Sequence, residues 1–258
     1  MVAPFAFWLL AGHSQPLLAA ACAATNSTEH AQVVYVYDGD TVKLKDGRRL
    51  RFIGINTPEV SHKGKPVQPL AEAARAALQD LLDTHNRTLL LQYGQQDHDH
   101  YGRLLAHAFL EDGGNVAVSL LQQGLATTLV VPPNTWGVRC YQAIENEARH
   151  DRKGLWALPE YQPQQARTLP LDSRGFRIVQ GQVSRLRNSR YTVWVDIDGP
   201  LVLQIAKKDL DYFDSLEALV GQQIEARGWV KEDRNGLRMK IRHPAALRAI
   251  TVTQQQRH

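Results

Sequence analysis

Alternation of apolar and polar side chains dominates the first third of the chain after a polar junction at Thr25–Ala31. The stretch "QVVYVYDGDTVKLKDGRRLRFIGI" contains β-branched runs separated by two Asp-Gly pairs, the pattern of consecutive strands joined by tight turns. The period then changes. Pro69–His85 carries Leu70, Ala73, Ala74, Ala77, Leu78 and Leu81 at helical spacing, which predicts an amphipathic helix. "RTLLLQYG" and "RLLAHAFLEDGG" return to strand character, and Val116–Gln123 predicts a short helix that Gly124 can end. A longer helix is expected within Pro132–Lys153, before Gly154-Leu155-Trp156. "ALPEYQPQQARTLPLDSRG" is rich in proline and glutamine and reads as a linker. Beyond it, Phe176–Ser184, Tyr191–Ile197 and Leu201–Ile205 predict three strands, Lys208–Leu219 a helix, and Gln222–Trp229 and Leu237–Arg242 two more strands. Three strands, a helix and two strands is the order of a five-stranded OB-type barrel.

Composition changes this picture in two places. The chain is ordinary for a soluble globular protein, at 258 residues with 43% apolar and 22% charged side chains. Its net charge of +4 permits a polyanionic partner. That excess sits in the C-terminal part, which holds 14 Lys/Arg against 10 Asp/Glu between Asp172 and Ile250, whereas residues 1–171 hold 15 against 16. There, Arg238, Lys240 and Arg242 alternate in "LRMKIRH" and share one strand face, and Arg185, Arg187 and Arg190 cluster at a presumed hairpin. With Tyr191, Trp194, Tyr212, Phe213 and Trp229 nearby, such strands suit single-stranded nucleic acid. The competing reading is a packed barrel with a solvated basic face.

The second place is the N-terminus. "APFAFWLLAGHSQPLLAAACAA" is apolar, lacks Lys, Arg, Asp and Glu, and ends in small residues that fit a cleavage site. It predicts export to the periplasm or the medium. Cys22 follows three alanines and offers lipid attachment as the alternative, although Ala19 stands where leucine is usual. Cys140 is the only other cysteine, so at most one disulfide exists; cleavage after Cys22 leaves Cys140 alone as an apolar filler.

The candidate chemistry lies in short polar fragments: "DGDT" (Asp38–Thr41), "RFIGINTPE" (Arg51–Glu59), "DHYGR" (Asp99–Arg103), then "GLA" and "GLW" at Gly124 and Gly154. In this order and spacing they resemble the staphylococcal nuclease (thermonuclease) family, over about residues 31–156. The resemblance implies a five-stranded OB-type barrel with three helices, and with the second small OB-like barrel read from the strand order the expected class is α+β, mainly β. With the segments read from the chain's own pattern, the expected organisation is a leader over 1–24, the nuclease-like domain over 31–158, a linker over 159–173, the OB-like domain over 174–250 and a tail over 251–258. The implied activity is calcium-dependent cleavage of phosphodiester bonds in DNA and RNA.

Carried over residue by residue, Asp40 and the Thr57 carbonyl are implied ligands of one Ca2+ ion, and Arg51 and Arg103 grip the scissile phosphate. Glu59 positions or deprotonates water, and Tyr101, with His100 beside it, contacts a neighbouring phosphate. The residue types suit the chemistry without the family. Calcium takes hard oxygen ligands, and two guanidinium forks match the charge that gathers on phosphoryl oxygens. Asn56 stands where the family's best-known member has a second calcium-binding aspartate, which implies a weaker ion site. "TLVVPPNTW" lacks the tyrosines that stack on the base there, so base preference is not legible. Asp38 reads as a structural turn carboxylate, and "DHDH" (Asp97–His100) as a loop with incidental histidines. Arg51 as a solvated strand charge and Glu59 as a helix N-terminal carboxylate are the plain alternatives to their functional roles. The alternative for the whole chain is a catalytically weakened nucleic-acid- or protein-binding module of the cell envelope, held at the membrane only if Cys22 is lipidated.

Overall fold

The two Asp-Gly turns close the first hairpins as their chemistry requires. In the computed structural model, which describes residues 22–25, 29–60, 66–233 and 236–250, β1 (Glu29–Val36) turns through Asp38-Gly39-Asp40 into β2 (Thr41–Leu44). Asp46-Gly47 then leads β2 into β3 (Arg49–Phe52), with the Asp46 carboxylate accepting from the Arg48 amide at 2.9 Å. Register pairs Val36 with Val42 and Thr41 with Arg51. After β4 (Gly54–Asn56) and helix α1 (Ala71–Asp83), β5 (Thr88–His98) and β6 (Leu104–Phe109) complete a closed barrel in the order β1-β2-β3-β6-β5. β3 and β6 run parallel, Leu50 opposite Leu104, and the inward set includes Val42, Leu44, Leu50, Phe52, Leu89, Leu91 and Leu104.

The helices cover this barrel. α1 begins two residues later than predicted; of the expected face Ala74 and Leu78 are buried and Leu70, Ala77 and Leu81 pack partly buried beside them, while Ala71 and Leu82 join the buried stripe and Ala73 is exposed. α2 (Val116–Gln122) is capped by Asn115, whose side chain accepts from the Val118 amide at 3.2 Å. It is followed by the short strand β7 (Thr127–Leu129), which pairs antiparallel with β4, Asn56 opposite Thr127. α3 (Val138–His150) starts only after the Pro132-Pro133 turn, so the predicted helix is shorter at its front. The glycines of the two "GL" fragments meet. A Cβ on Gly124 would lie 2.2 Å from the Lys153 carbonyl, and one on Gly154 would lie 2.4 Å from the Gly124 carbonyl, which accepts from the Leu155 amide at 2.8 Å.

Cys22 and Cys140 form a disulfide, with Cα atoms 5.7 Å apart, and Asn115 Nδ2 donates to the Cys22 carbonyl at 3.0 Å. Thr25 donates to Gln92 at 2.9 Å. Residues 22–25 therefore pack on the barrel, and Cys140 is half of this bridge. The rest of the predicted leader, and the predicted tail, lie outside the described residues.

Residues 159–173 are built into the fold instead of running free. They form a short 3-10 turn at Pro159–Tyr161, strand β8 (Gln164–Gln165) and a second 3-10 turn at Ala166–Thr168. Ala166 and Leu169 are buried in the second core. The apolar residues scattered among the prolines and glutamines account for this, because they dock where composition alone suggests a spacer.

The second domain is the expected OB-type barrel. β9 (Gly175–Asn188), β10 (Thr192–Ile197), β11 (Leu201–Ala206), β12 (Gln223–Asp233) and β13 (Gly236–Ile241) close in the order β9-β10-β11-β13-β12-β9. β11 and β13 run parallel, and β14 (Leu247–Ala249) adds to the edge of β12. The predicted helix over Lys208–Leu219 is replaced by two 3-10 turns, Lys207–Tyr212 and Glu217–Leu219. Its apolar residues Leu210, Phe213, Leu216 and Leu219 recur every third position, the period of a 3-10 helix, and all four pack on the barrel core.

The domains are joined by a small apolar cluster of Ala148, Trp156 and Ile178, flanked by Tyr161 and Phe176. Charged clamps reinforce it. Arg149 on α3 forks onto Glu225 of β12 at 2.7 and 2.9 Å, and Arg227 of β12 reaches Glu145 of α3 at 2.5 Å. Arg242 Nη2 donates to the Pro132 carbonyl at 3.2 Å.

Candidate active site

Asp40 sits at the start of β2, only 2% exposed, and collects three neighbours. Its Oδ2 accepts from the Thr57 amide at 2.8 Å and lies 3.0 Å from Arg51 Nη2, and its Oδ1 accepts from Thr41 Oγ1 at 3.0 Å. The turn before it must be thin. A Cβ on Gly39 would lie 2.7 Å from Thr57 Cγ2 and 2.9 Å from Ala74 Cβ, so glycine lets the turn approach the Thr57 loop. Asn56 at the end of β4 completes the group. Its Oδ1 accepts from Arg51 Nη2 at 3.3 Å, and its Nδ2 donates to the Thr57 carbonyl at 3.0 Å. Arg51 is further fixed by Nη1 donating to the Phe52 carbonyl at 2.6 Å. Asp40, Arg51, Asn56 and Thr57 thus converge as expected.

Arg103 immediately precedes β6, which runs parallel to β3 with Leu105 opposite Arg51, so strand alternation puts Arg103 on the same side of the sheet as Arg51. Asp99 holds it in place, accepting from its backbone amide at 2.9 Å and from Nε at 2.7 Å. The Nη groups carry no hydrogen bond among the described residues. Burial works against ionisation of Asp99, but the hydrogen bonds and charge of Arg103 and the Tyr101 amide outweigh it and hold the carboxyl below its ordinary range. Within "DHDH", Asp97 and His98 end β5 where a loop was expected, and Asp99 supports Arg103. His98 pairs with adjacent Asp97 at 3.1 Å, and no cluster of three or more His, Cys, Asp or Glu able to hold a metal occurs among the described residues.

Tyr101 is 73% exposed, with the Arg103 guanidinium 5.5 Å from its ring centre and the His100 ring 3.7 Å away, tilted by 42°. Glu59 is exposed, its backbone amide donating to Gln68 Oε1 at 3.0 Å. Its charge reaches Asp38. Burial first, then the neighbouring Asp40 charge, push the Asp38 carboxyl up to about 7, with Glu59 adding to the rise against the pull of the Asp40 amide and Arg51. Asp38 is the expected turn carboxylate, accepting from the Asp40 amide at 3.0 Å.

The donors at this site are a carboxylate, an amide oxygen and a peptide carbonyl. Such hard oxygens fit calcium or magnesium and poorly fit thiophilic or imidazole-seeking metals. Thr57 Oγ1 is buried there without a hydrogen-bond partner, a further unsatisfied oxygen beside the set. The charge count is low, because Asn56 contributes none.

Two contributors lay outside the sequence expectations. Glu145 of α3 accepts from the Thr128 amide at 2.7 Å and so fixes β7, the strand that pairs with the Asn56 segment. Tyr141 of α3 lies under the barrel, hydrogen-bonded with His107 Nδ1 at 3.0 Å and Asn115 Nδ2 at 3.1 Å. Burial holds His107 neutral, its pKa depressed to about 3. Neither contact has a local signature, since both partners come from segments distant in the chain.

The fold is an OB-type barrel with one guanidinium beside a buried oxygen-donor set and a second braced by Asp99 on the same side of the sheet. A family model described as "Staphylococcal nuclease homologue" matches residues 49–158. The thermonuclease of Staphylococcus intermedius is 36% identical over 124 residues, covering 47% of this chain and 72% of that protein. The thermonuclease of Staphylococcus hyicus is 33% identical over 141 residues, 52% of this chain and 79% of the other. Endonuclease YncB of Bacillus subtilis (strain 168) is 34% identical over 128 residues, 48% of this chain and 60% of that protein. The chain belongs to the staphylococcal nuclease family. The match leaves the second barrel uncovered by the family model, which ends at residue 158.

Proposed function

We propose that the protein is a calcium-dependent nuclease that hydrolyses phosphodiester bonds of DNA, RNA or both. The observation that carries this reading is the pair of guanidiniums on one face, Arg51 within 3.0 Å of Asp40 and Arg103 braced by Asp99. In hydrolysis, water adds to phosphorus, the bond to the leaving oxygen breaks, and that oxygen ends protonated. Negative charge grows on the non-bridging oxygens, and Arg51 and Arg103 are placed to meet it with planar donors. Glu59, which is exposed, orients the attacking water or takes its proton. Tyr101 and His100 flank the next phosphate. Asp40, Asn56 and the Thr57 carbonyl would hold calcium, which when bound supplies a further positive centre to the phosphoryl oxygens.

Export to an oxidising compartment is the reading that the Cys22–Cys140 bridge supports, since such bonds persist outside the reducing cytosol. A second reading, a weakened binding module, draws on Asn56 alone. One experiment separates them. The purified chain is assayed on DNA and RNA with calcium and with chelator, beside Arg51→Ala. Calcium-dependent cleavage, lowered in the variant by roughly a hundred- to thousand-fold, is expected. Binding without cleavage in every condition would favour the second reading.

A further inference from the structure

Between the two barrels lies a cleft of about 620 Å³, within the size range of about 300–1,000 Å³ common for ligand sites. One wall is the Thr127–Val131 segment, with His100 at the edge nearest Tyr101 and Arg103. The other wall is the outer face of β12 and β13, which presents Trp229, Lys231, Arg238, Lys240 and, just past β13, Arg242. Register brings these side chains together, Lys231 opposite Arg238 and Lys240 beside Gln204 of β11.

The chemistry of the lining is one-sided. No aspartate or glutamate lines it. Arg227 and Arg242 are already paired, with Glu145 and Asp209 respectively, whereas Lys231 and Lys240 are exposed and form no ion pair among the described residues. Trp229 is half-buried, its ring set edge-on to Phe176 at 5.5 Å, and Leu129, Val130 and Val131 face the same space. Lys231 lies opposite the residue two positions before Lys240 on β13, so the two lysines share one face of adjacent strands. By contrast, Arg185 and Arg187, the other basic cluster, are both bound to Asp196.

We propose that this cleft holds the unpaired nucleotides adjoining the scissile ester, with Lys231 and Lys240 on their phosphates and Trp229 stacked on a base. The proposal rests on the nuclease reading for the direction in which the strand leaves the site. A duplex does not satisfy the cleft, because its bases are stacked inside and cannot reach a half-buried indole; a single strand combines both contacts. An acidic peptide would use the lysines and leave the tryptophan without a role.

The test uses the full chain in chelator, so that binding is read without cleavage. Fluorescein-labelled oligothymidylates, a trimer and a 12-mer, are titrated by anisotropy over a range of KCl for the wild type, Lys231→Ala/Lys240→Ala and Trp229→Ala. The lysine pair should weaken the 12-mer more than the trimer and lower the slope of log K against log salt by about 1.4, at about 0.7 per single-strand phosphate. Trp229→Ala should cost the 12-mer about ten-fold or more. Both lysines are on the surface, so that variant tests the cleft even if the tryptophan change disturbs folding. An unchanged 12-mer affinity and salt slope in the lysine variant overturns the proposal, as does competition by polyglutamate equal to that of the 12-mer. A wild type that binds in this way but never cleaves would sink the nuclease reading and leave the cleft standing.

Discussion

Glu225→Gln should uncouple the second barrel from α3 at neutral pH and have progressively less effect in acid. The Glu225 side chain is 3% exposed and accepts both forks of Arg149, with Arg248 at 3.0 Å and Gln180 Nε2 at 3.0 Å. Burial alone would raise its pKa; the hydrogen bonds and charge of Arg149, the charge of Arg248 and the Gln180 amide reverse this and hold it at about 2. A carboxyl that titrates at about 2 when folded and near 4.5 when unfolded stabilises the fold while it is ionised. The contribution is fully present above pH 4.5 and is lost as pH falls toward 2. It amounts to about 3 kcal/mol at neutral pH. The amide removes that charge and leaves Arg149 and Arg248 facing each other, within the range of about 3–5 kcal/mol for breaking a buried pair. Urea unfolding of wild type and variant, followed by tryptophan fluorescence across this pH span, measures the gap. It should be about 3 kcal/mol at neutrality and shrink steadily below the ordinary carboxyl range. No gap at neutrality, or one that stays constant into acid, would refute the account.

The ion site and the disulfide give two further tests. Asn56→Asp adds a carboxylate to the oxygen set; at about 4 Å from a divalent ion this is worth about 2 kcal/mol even at the dielectric of water, roughly thirty-fold in affinity. Calorimetric calcium titration reads it, and an unchanged affinity removes residue 56 from the site. The Cys22–Cys140 bridge spans a sequence separation of 118, for which chain entropy gives about 5 kcal/mol. Unfolding of Cys140→Ser against wild type should show a loss approaching that value, and equal stability would mean that the bridge does not form in the native protein.

The site was legible because most of its parts are local. Asp40, Arg51, Asn56 and Thr57 lie within two hairpin steps of one another, and pairing of Thr41 with Arg51 follows once the Asp-Gly turns are assigned. Arg103 needs one longer step, the parallel pairing of β3 with β6, which the barrel order supplies. The misread segments failed for identifiable reasons. Leu210, Phe213, Leu216 and Leu219 repeat every third residue, a period close enough to 3.6 to pass for an α-helix over so short a span. Residues 159–173 look like a spacer because prolines and glutamines outweigh Ala166 and Leu169, which nevertheless dock in the second core. The ion pairs between Glu145 and Arg227, and between Arg149 and Glu225, join residues whose local patterns mention neither partner.

Those long-range pairs explain how a second barrel bears on a site it does not touch. Glu145 divides its two oxygens between domains: Oε1 accepts from the Thr128 amide of β7, and Oε2 accepts from Arg227 of β12. β7 is paired with β4, Asn56 opposite Thr127, so the carboxylate that seats the second barrel also anchors the strand on which the Asn56 segment is paired. Arg227 alternates along β12 with Trp229 and Lys231, so the clamp also fixes which face of the second barrel looks across the cleft. Arg242 fixes the far end through the Pro132 carbonyl. A freely jointed barrel would present its lysines in every direction; this one is held by buried ion pairs whose geometry aims Lys231 and Lys240 across the cleft at the Thr127–Val131 segment and His100.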